Sequence, residues 1–264
     1  MRLTSKLAIA LLGIAGLSAG QEIAPSVRSE FAPMGRLRVG INFGNALLAN
    51  KDANGNAGGI ALDLARELGR RVGVAVEIVG FDSAGRMADG AKAGAWDVAF
   101  LGADPDRANE ITFTAPYLDV DSTYLVPPNS SLRTVEDVDR EGVRIAVSDK
   151  SAYDLFLTRS LKRAQLVRVP GIDASVDLYL TQKLDALAGL RPLLIETARR
   201  QPGSRVLDGR FTVVQQAAGT PMGREAAAKY LREFIEDVKA SGSAAKIFEK
   251  NGARGVSVSS KAQK

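Results

Sequence analysis

The stretch WDVAFLGADPDRANEITFTAPY, residues 96–117, decides how the chain folds and where its chemistry sits. Val98–Leu101 is a short apolar run, the length of a buried strand, and it ends at Gly102. A residue without a side chain at that point lets another group approach the backbone closely. Asp104 suits a helix N-cap and Pro105 the first helical position, which places Arg107 in the first turn of a short helix. A cation there is opposed by the helix dipole, so an incoming anion meets both a guanidinium and free backbone N–H groups. The planar guanidinium also matches a carboxylate at two points. The same residues permit a plainer reading, in which Arg107 pairs with Asp104, Asp106 or Glu110 at the surface. Trp96, at the start of the strand, reads as packing rather than as a platform for a ring.

Outward from this segment, strands and helices alternate. Upstream, Leu37, Val39 and Ile41 alternate as a strand does, and a turn-rich stretch runs from Asn42 to Gly59. Ile60, Leu64, Leu68 and Val72 then recur every four residues and predict an amphipathic helix. Val74, Val76 and Ile78 alternate again, and a second helix is expected over Ala84–Ala93. The pattern restarts after Pro127-Pro128. Strands are expected at Arg144–Val147, Leu166–Val169 and Ala186–Leu190, with helices at Ala152–Leu161 and Val176–Leu180 between them. Phe211–Gln215 is a further apolar run, followed by a helix over Arg224–Val238. This order predicts an α/β fold whose strands pair largely in parallel. The element order occurs twice, so two similar lobes are expected. In open α/β sheets a ligand lies beyond the carboxyl ends of the strands, here in the cleft between the lobes.

The ends of the chain read differently. Arg2 and Lys6 precede an apolar run from Leu7 to Leu17, and Ser18, Ala19 and Gly20 follow. Residues 1–20 are therefore expected to be a cleavable export signal, since the run falls short of the roughly 20 residues needed to span a bilayer. Residues 21–35 show no period and are expected to be a linker, and residues 256–264 a disordered tail. The formal charge of +5 falls to +3 without Arg2 and Lys6, and the basic residues form no long block, so nucleic acid is not implied as a partner. The chain has no cysteine and no histidine. Thiol nucleophiles, zinc–thiolate sites and histidine-assisted Ser or Cys mechanisms are thereby excluded. A phosphate-binding G-x-x-x-x-G-K-[ST] loop is absent as well, and Asp82, Asp89 and Asp97 are too scattered to suggest a metal cage. No metal and no cofactor are expected.

The segment 96–117 resembles the signature of the family 3 bacterial extracellular solute-binding proteins, the polar amino-acid binders of ABC transporters. The resemblance rests on Trp96-Asp97, Arg107 and Phe113–Tyr117 (FTAPY). It extends to Leu37–Gly40 with Gly59–Leu68 (GIALDLAREL), Ile145–Tyr153 (IAVSDKSAY), Lys183–Leu187 (KLDAL) and the closing segment Gly242–Gly252. It implies a type II periplasmic binding fold with the ligand cleft between two lobes. Lobe 1 would be built from residues 36–124 and 215–255, lobe 2 from 125–214, with crossings near Tyr124–Pro127 and Phe211–Gln215. It further implies a monomeric periplasmic protein that hands a small carboxylate-bearing solute to an inner-membrane permease. A periplasmic dehydratase acting on a carboxylated ring, and a ligand-sensing subunit for a membrane receptor, are the alternatives.

Carried over residue by residue, the resemblance makes Arg107 the carboxylate ligand, beside the backbone at Gly102. Asn42 and Asn45 stand where the family brings an acid and an aromatic, and Ser151 keeps a small hydroxyl at a helix start. The departure that matters most is Leu190, which occupies the place of the acid that holds an α-ammonium. Either another acid substitutes, with Asp149 the nearest candidate, or the ligand has no free α-amine. Arg191, next in sequence, reads as a second anion contact or as a solvated arginine at a helix start.

Overall fold

A computed structural model describes residues 23–260. The expected export signal, residues 1–20, lies outside the described residues. Elements follow in this order: α1 (Pro25–Phe31), β1 (Arg36–Asn42), β2 (Asn50–Lys51), β3 (Ala57–Gly58), α2 (Ile60–Val72), β4 (Ala75–Phe81), α3 (Ala84–Lys92), β5 (Val98–Gly102) and β6 (Ile111–Val126). After these come β7 (Arg144–Ser148), α4 (Ala152–Ser160), β8 (Gln165–Val169), α5 (Ile172–Thr181), β9 (Ala186–Leu190), α6 (Arg191–Arg200), β10 (Arg205–Val206) and β11 (Thr212–Pro221). The chain closes with α7 (Glu225–Ala240), α8 (Ser243–Lys250) and β12 (Ser257–Val258).

The main sheet runs β4-β1-β5-β11-β6-β9-β7-β8. Two parallel groups, β4-β1-β5 and β9-β7-β8, flank the antiparallel pair β11 and β6. Each parallel group is the α/β unit predicted from alternating strands and helices. In the first, the four-residue period of α2 buries Ile60, Leu64, Leu68 and Val72 completely, and Gly73 ends that helix in the left-handed conformation a C-cap favours. Trp96 is packing, as expected: its ring is fully buried and its indole N–H donates to the Met87 carbonyl at 2.8 Å.

The joining pair holds the surprise. β6 is 16 residues long and passes through Pro116, a residue that normally argues against an inner strand. The register between β6 and β11 breaks at Gln216/Ala217, and Pro116 faces Ala217 at that irregularity, where no ladder N–H is required of it. The lobe boundaries expected at 124/125 and 214/215 fall inside β6 and β11.

Two expectations at the ends are corrected. Of the segment 21–35 expected to be a linker, the described part, 23–35, is not simply one. It forms α1, whose Phe31 is fully buried and meets Tyr230 edge-on with ring centroids 5.9 Å apart. Glu30 accepts the Ala227 backbone N–H at 2.8 Å, so a side chain from α1 caps the start of α7. Nor is the tail free from residue 256 onward. Ser257 and Val258 pair with Asp119 and Leu118 of β6, and Ser259 donates to the Asp119 carboxylate at 2.7 Å. Residues 261–264 lie outside the described residues. Among the described residues, no helix is long and apolar enough to cross a membrane.

Candidate ligand-binding cleft

The carboxyl ends of β1, β5, β7 and β9 converge on one cleft between the two parallel groups. It has about 490 Å³ of unfilled space, a figure that includes the open solvent at its mouth. Asn42, Asn45, Gly102, Arg107, Ser151 and Leu190 all line it, so six of the seven site residues expected from sequence come together. Asp149 does not. It is half-buried outside the lining, where its backbone N–H donates to Val169.

Arg107 sits in a single 3-10 turn, Arg107–Asn109, rather than at the start of an α-helix. So short a turn has little dipole, and the surroundings of Arg107 are set by burial instead. The residue is 6% exposed. Its Nη1 donates to the Gly102 carbonyl at 2.6 Å and its Nη2 to the Lys150 carbonyl at 2.7 Å. The second bond crosses the cleft, because Lys150 follows β7 in the other parallel group. None of the surface partners considered for Arg107 is available to it. Asp104 and Asp106 both pair with Arg159, and Glu110 pairs with Lys92. Burial pulls the Arg107 guanidinium down to about 10, with Asp104 and Asp89 opposing from a distance. At neutral pH it remains charged, and no carboxylate among the described residues contacts it.

The wall around it supplies donors and apolar surface. The side-chain oxygens of Asn42 and Asn45 accept from Gly44 and Leu47 N–H, which shapes the loop after β1 and leaves the amide NH₂ groups as the unengaged ends. Gly44 is needed there, since a Cβ would lie 2.1 Å from the Asp82 carbonyl oxygen. On the opposite wall Ser151 caps α4, its hydroxyl accepting the Asp154 N–H at 3.1 Å. The N–H groups of Ala152 and Tyr153, in the first turn of α4, have no intrahelical acceptor. A Cβ at Gly102 would come within 2.9 Å of the Ala152 side chain, so glycine is what lets α4 close on the end of β5.

Leu190 ends β9 and is 3% exposed, and α6 starts after it without a side-chain cap. Arg191 lies outside the cleft lining and is not simply solvated: it donates to the carbonyls of Leu207 and Gly209 and lies 3.8 Å from the Asp121 carboxylate. Sequence reasoning missed Gln216, Met87 and Val214 in the lining. Gln216 is brought there by the β11 irregularity, and its buried Oε1 has no donor. Nothing local in the sequence marks a bulge whose partner strand lies a hundred residues upstream. Among the described residues, no cluster of three or more His, Cys, Asp or Glu could hold a metal.

The architecture is that of the type II periplasmic binding proteins, two α/β lobes about a cleft. The solute receptor for L-cysteine of Neisseria gonorrhoeae superposes with a TM-score of 0.75 at 21% identity, covering 85% of this chain and 93% of that one. An amino acid ABC transporter substrate-binding protein of Streptococcus pneumoniae, bound to L-arginine, gives 0.72 at 18% identity over 84% and 96%. An ancestral amino acid-binding protein, a precursor of cyclohexadienyl dehydratase, gives 0.72 at 22% identity over 84% and 98%. No curated protein matches the chain. The family model of the bacterial extracellular solute-binding proteins, family 3, matches residues 37–253. The chain belongs to that family.

Proposed function

We propose that this protein captures a small carboxylate-bearing solute in the periplasm and delivers it to an ABC transporter permease in the inner membrane. The observation that carries the reading is Arg107, a buried guanidinium in the cleft wall that, among the described residues, is bonded only to carbonyls and matched by no carboxylate. A buried charge without a counter-charge is costly, and a ligand carboxylate would supply one. The helix start at Ser151–Tyr153 offers further N–H donors to the same anion. Lobe 1 (36–124 with 215–255) and lobe 2 (125–214) would swing about β6 and β11, bringing Lys150 onto Arg107 as the cleft closes. The family membership and the apolar run Leu7–Leu17 support export to the periplasm, with the protein acting as a monomer.

Binding without turnover is favoured by the lining itself. A dehydratase-type reaction needs a placed acid or base. Asp82 is the one carboxylate among the lining residues, and it is 65% exposed and paired with Arg86. Burial pushes the Tyr153 hydroxyl up to about 12, which keeps it protonated at neutral pH.

The test is calorimetric titration of small carboxylic acids into the purified protein and into Arg107→Ala. A hydrogen bond to a charged group contributes about 1.5–3 kcal/mol, and about 1.4 kcal/mol is a tenfold change, so affinity should fall tenfold to 100-fold. Undiminished binding by the variant would sink the reading.

A further inference from the structure

We infer that the solute is an amine-free carboxylate anion with an apolar body, and that Leu190 sets this selectivity; the inference rests on the carboxylate-binding reading above. Arg107 gives the cleft one positive charge that is bonded to two carbonyls and has no carboxylate partner among the described residues. Of the carboxylates on the flanking elements, Asp104 is committed to Arg159 at 2.7 Å, Asp154 to Arg168 at 2.9 Å and Asp89 to Lys150 at 2.9 Å, and Asp149 lies outside the lining. Asp82, in the lining, is paired with Arg86 near solvent. The charge the cleft asks for is therefore a single negative one.

A zwitterionic amino acid would satisfy Arg107 but bring an ammonium with it. Such a group carries three N–H donors and a full charge, and burying it without an anion is costly. The wall offers it little. The side-chain oxygens of Asn42 and Asn45 each already accept one backbone N–H, which leaves their NH₂ donors as the unengaged ends. The Ser151 oxygen already accepts the Asp154 N–H. Gln216 Oε1 is a buried lining acceptor without a donor. It is neutral, and one such acceptor suits a hydroxyl better than an ammonium. The lining also carries the apolar side chains of Leu48, Met87, Phe100, Leu190 and Val214. Leu190 also leads directly into α6, whose first N–H groups lack a side-chain cap and add positive potential there.

The test uses acids that differ only in the amine: L-leucine, L-valine and L-phenylalanine, each against its 2-hydroxy and 2-oxo counterparts, titrated into the purified protein. The amine-free members should bind at least tenfold more tightly than the amino acids. Leu190→Asp should shift the preference toward the amino acids by tenfold or more, whereas the neutral Leu190→Asn should not. The unmodified protein decides the matter even where Leu190→Asp folds poorly. Amino acids binding as tightly as their amine-free partners, with binding still lost in Arg107→Ala, would overturn this inference and leave the carboxylate reading intact. Failure of every acid to bind, or binding indifferent to Arg107→Ala, would overturn both.

Discussion

Asp97 and Arg107 flank one strand, β5, and they bury opposite charges in opposite ways. At the start of the strand the Asp97 side chain is fully buried and answered twice over. Arg38 reaches it through Nη2 at 2.8 Å and Nε at 3.0 Å, and Arg224 reaches it at 2.7 Å. Arg224 also donates to the Glu30 carbonyl, so the cluster ties β1, β5, α1 and the start of α7 together. Past the other end, Arg107 is also buried, at 6% exposure, but its hydrogen bonds go only to carbonyls. A buried charge matched within the chain is structural. One left unmatched in a cleft wall is a demand for something from outside.

The largest effect should come from the matched end. Asp97→Asn leaves two arginines without their counter-charge and should destabilise the protein by roughly 3 kcal/mol at neutral pH, read by denaturant unfolding. Burial pushes the Asp97 carboxyl up, but the bonds from Arg38 and Arg224 outweigh it and hold it below its ordinary value. For an acid lowered on folding, the stabilisation is full above the unfolded value, ~3.9, and is lost as pH falls through the lower folded value. The gap between the two proteins should therefore close in acid. A gap that persisted there would show Asp97 acting through packing rather than charge.

Arg107→Ala should do the reverse. Ligand affinity should drop tenfold to 100-fold, about 1.4–2.8 kcal/mol, while the ligand-free melting temperature holds or rises because an unpaired buried charge has been removed. In the unaltered protein, ligand affinity should fall as pH passes about 10, where Arg107 loses its charge. A marked fall in the ligand-free melting temperature would erase the contrast between the two ends.

Gly102→Ala should weaken binding by about tenfold, within the roughly 1–3 kcal/mol that overpacking costs, because its Cβ would meet Ala152 at 2.9 Å and resist closure. Titration calorimetry would show this; unchanged affinity would mean that α4 yields. The smallest effect belongs to the cross-cleft pair Lys150–Asp89, both more than half exposed. Lys150→Ala should cost about 0.2–1 kcal/mol of affinity, and less in high salt. A larger, salt-insensitive loss would mean that Lys150 does more than bridge at the surface.

Elements with a strong period were legible. The four-residue spacing of Ile60, Leu64, Leu68 and Val72 and the alternation of Leu37, Val39 and Ile41 both became the buried faces expected. α1 was not, because a short helix with one fully buried side chain has no period, and its anchors on α7 lie nearly two hundred residues away. For α6 the sequence offered only a possible start at Arg191 and no extent, for a related reason. It has an uncapped start, Pro192 in its first turn, and only Leu194 and Thr197 buried. In the cleft, Arg107 and Leu190 could be singled out from sequence, whereas the commitment of Asp104 and Asp106 to Arg159 could not.

The sequence by itself determined the alternating α/β elements, the absence of thiol and imidazole side chains, and an arginine just past the end of β5. Those features are local: periodicity, capping residues and residue type are written within a few turns of chain. Only the tertiary structure decided that β6 and β11 join the two parallel groups, that α1 and β12 dock, and which buried charges find partners. Each of those depends on segments far apart in sequence meeting at hydrogen-bonding distance, and whether a charge is matched is a property of its neighbours in space.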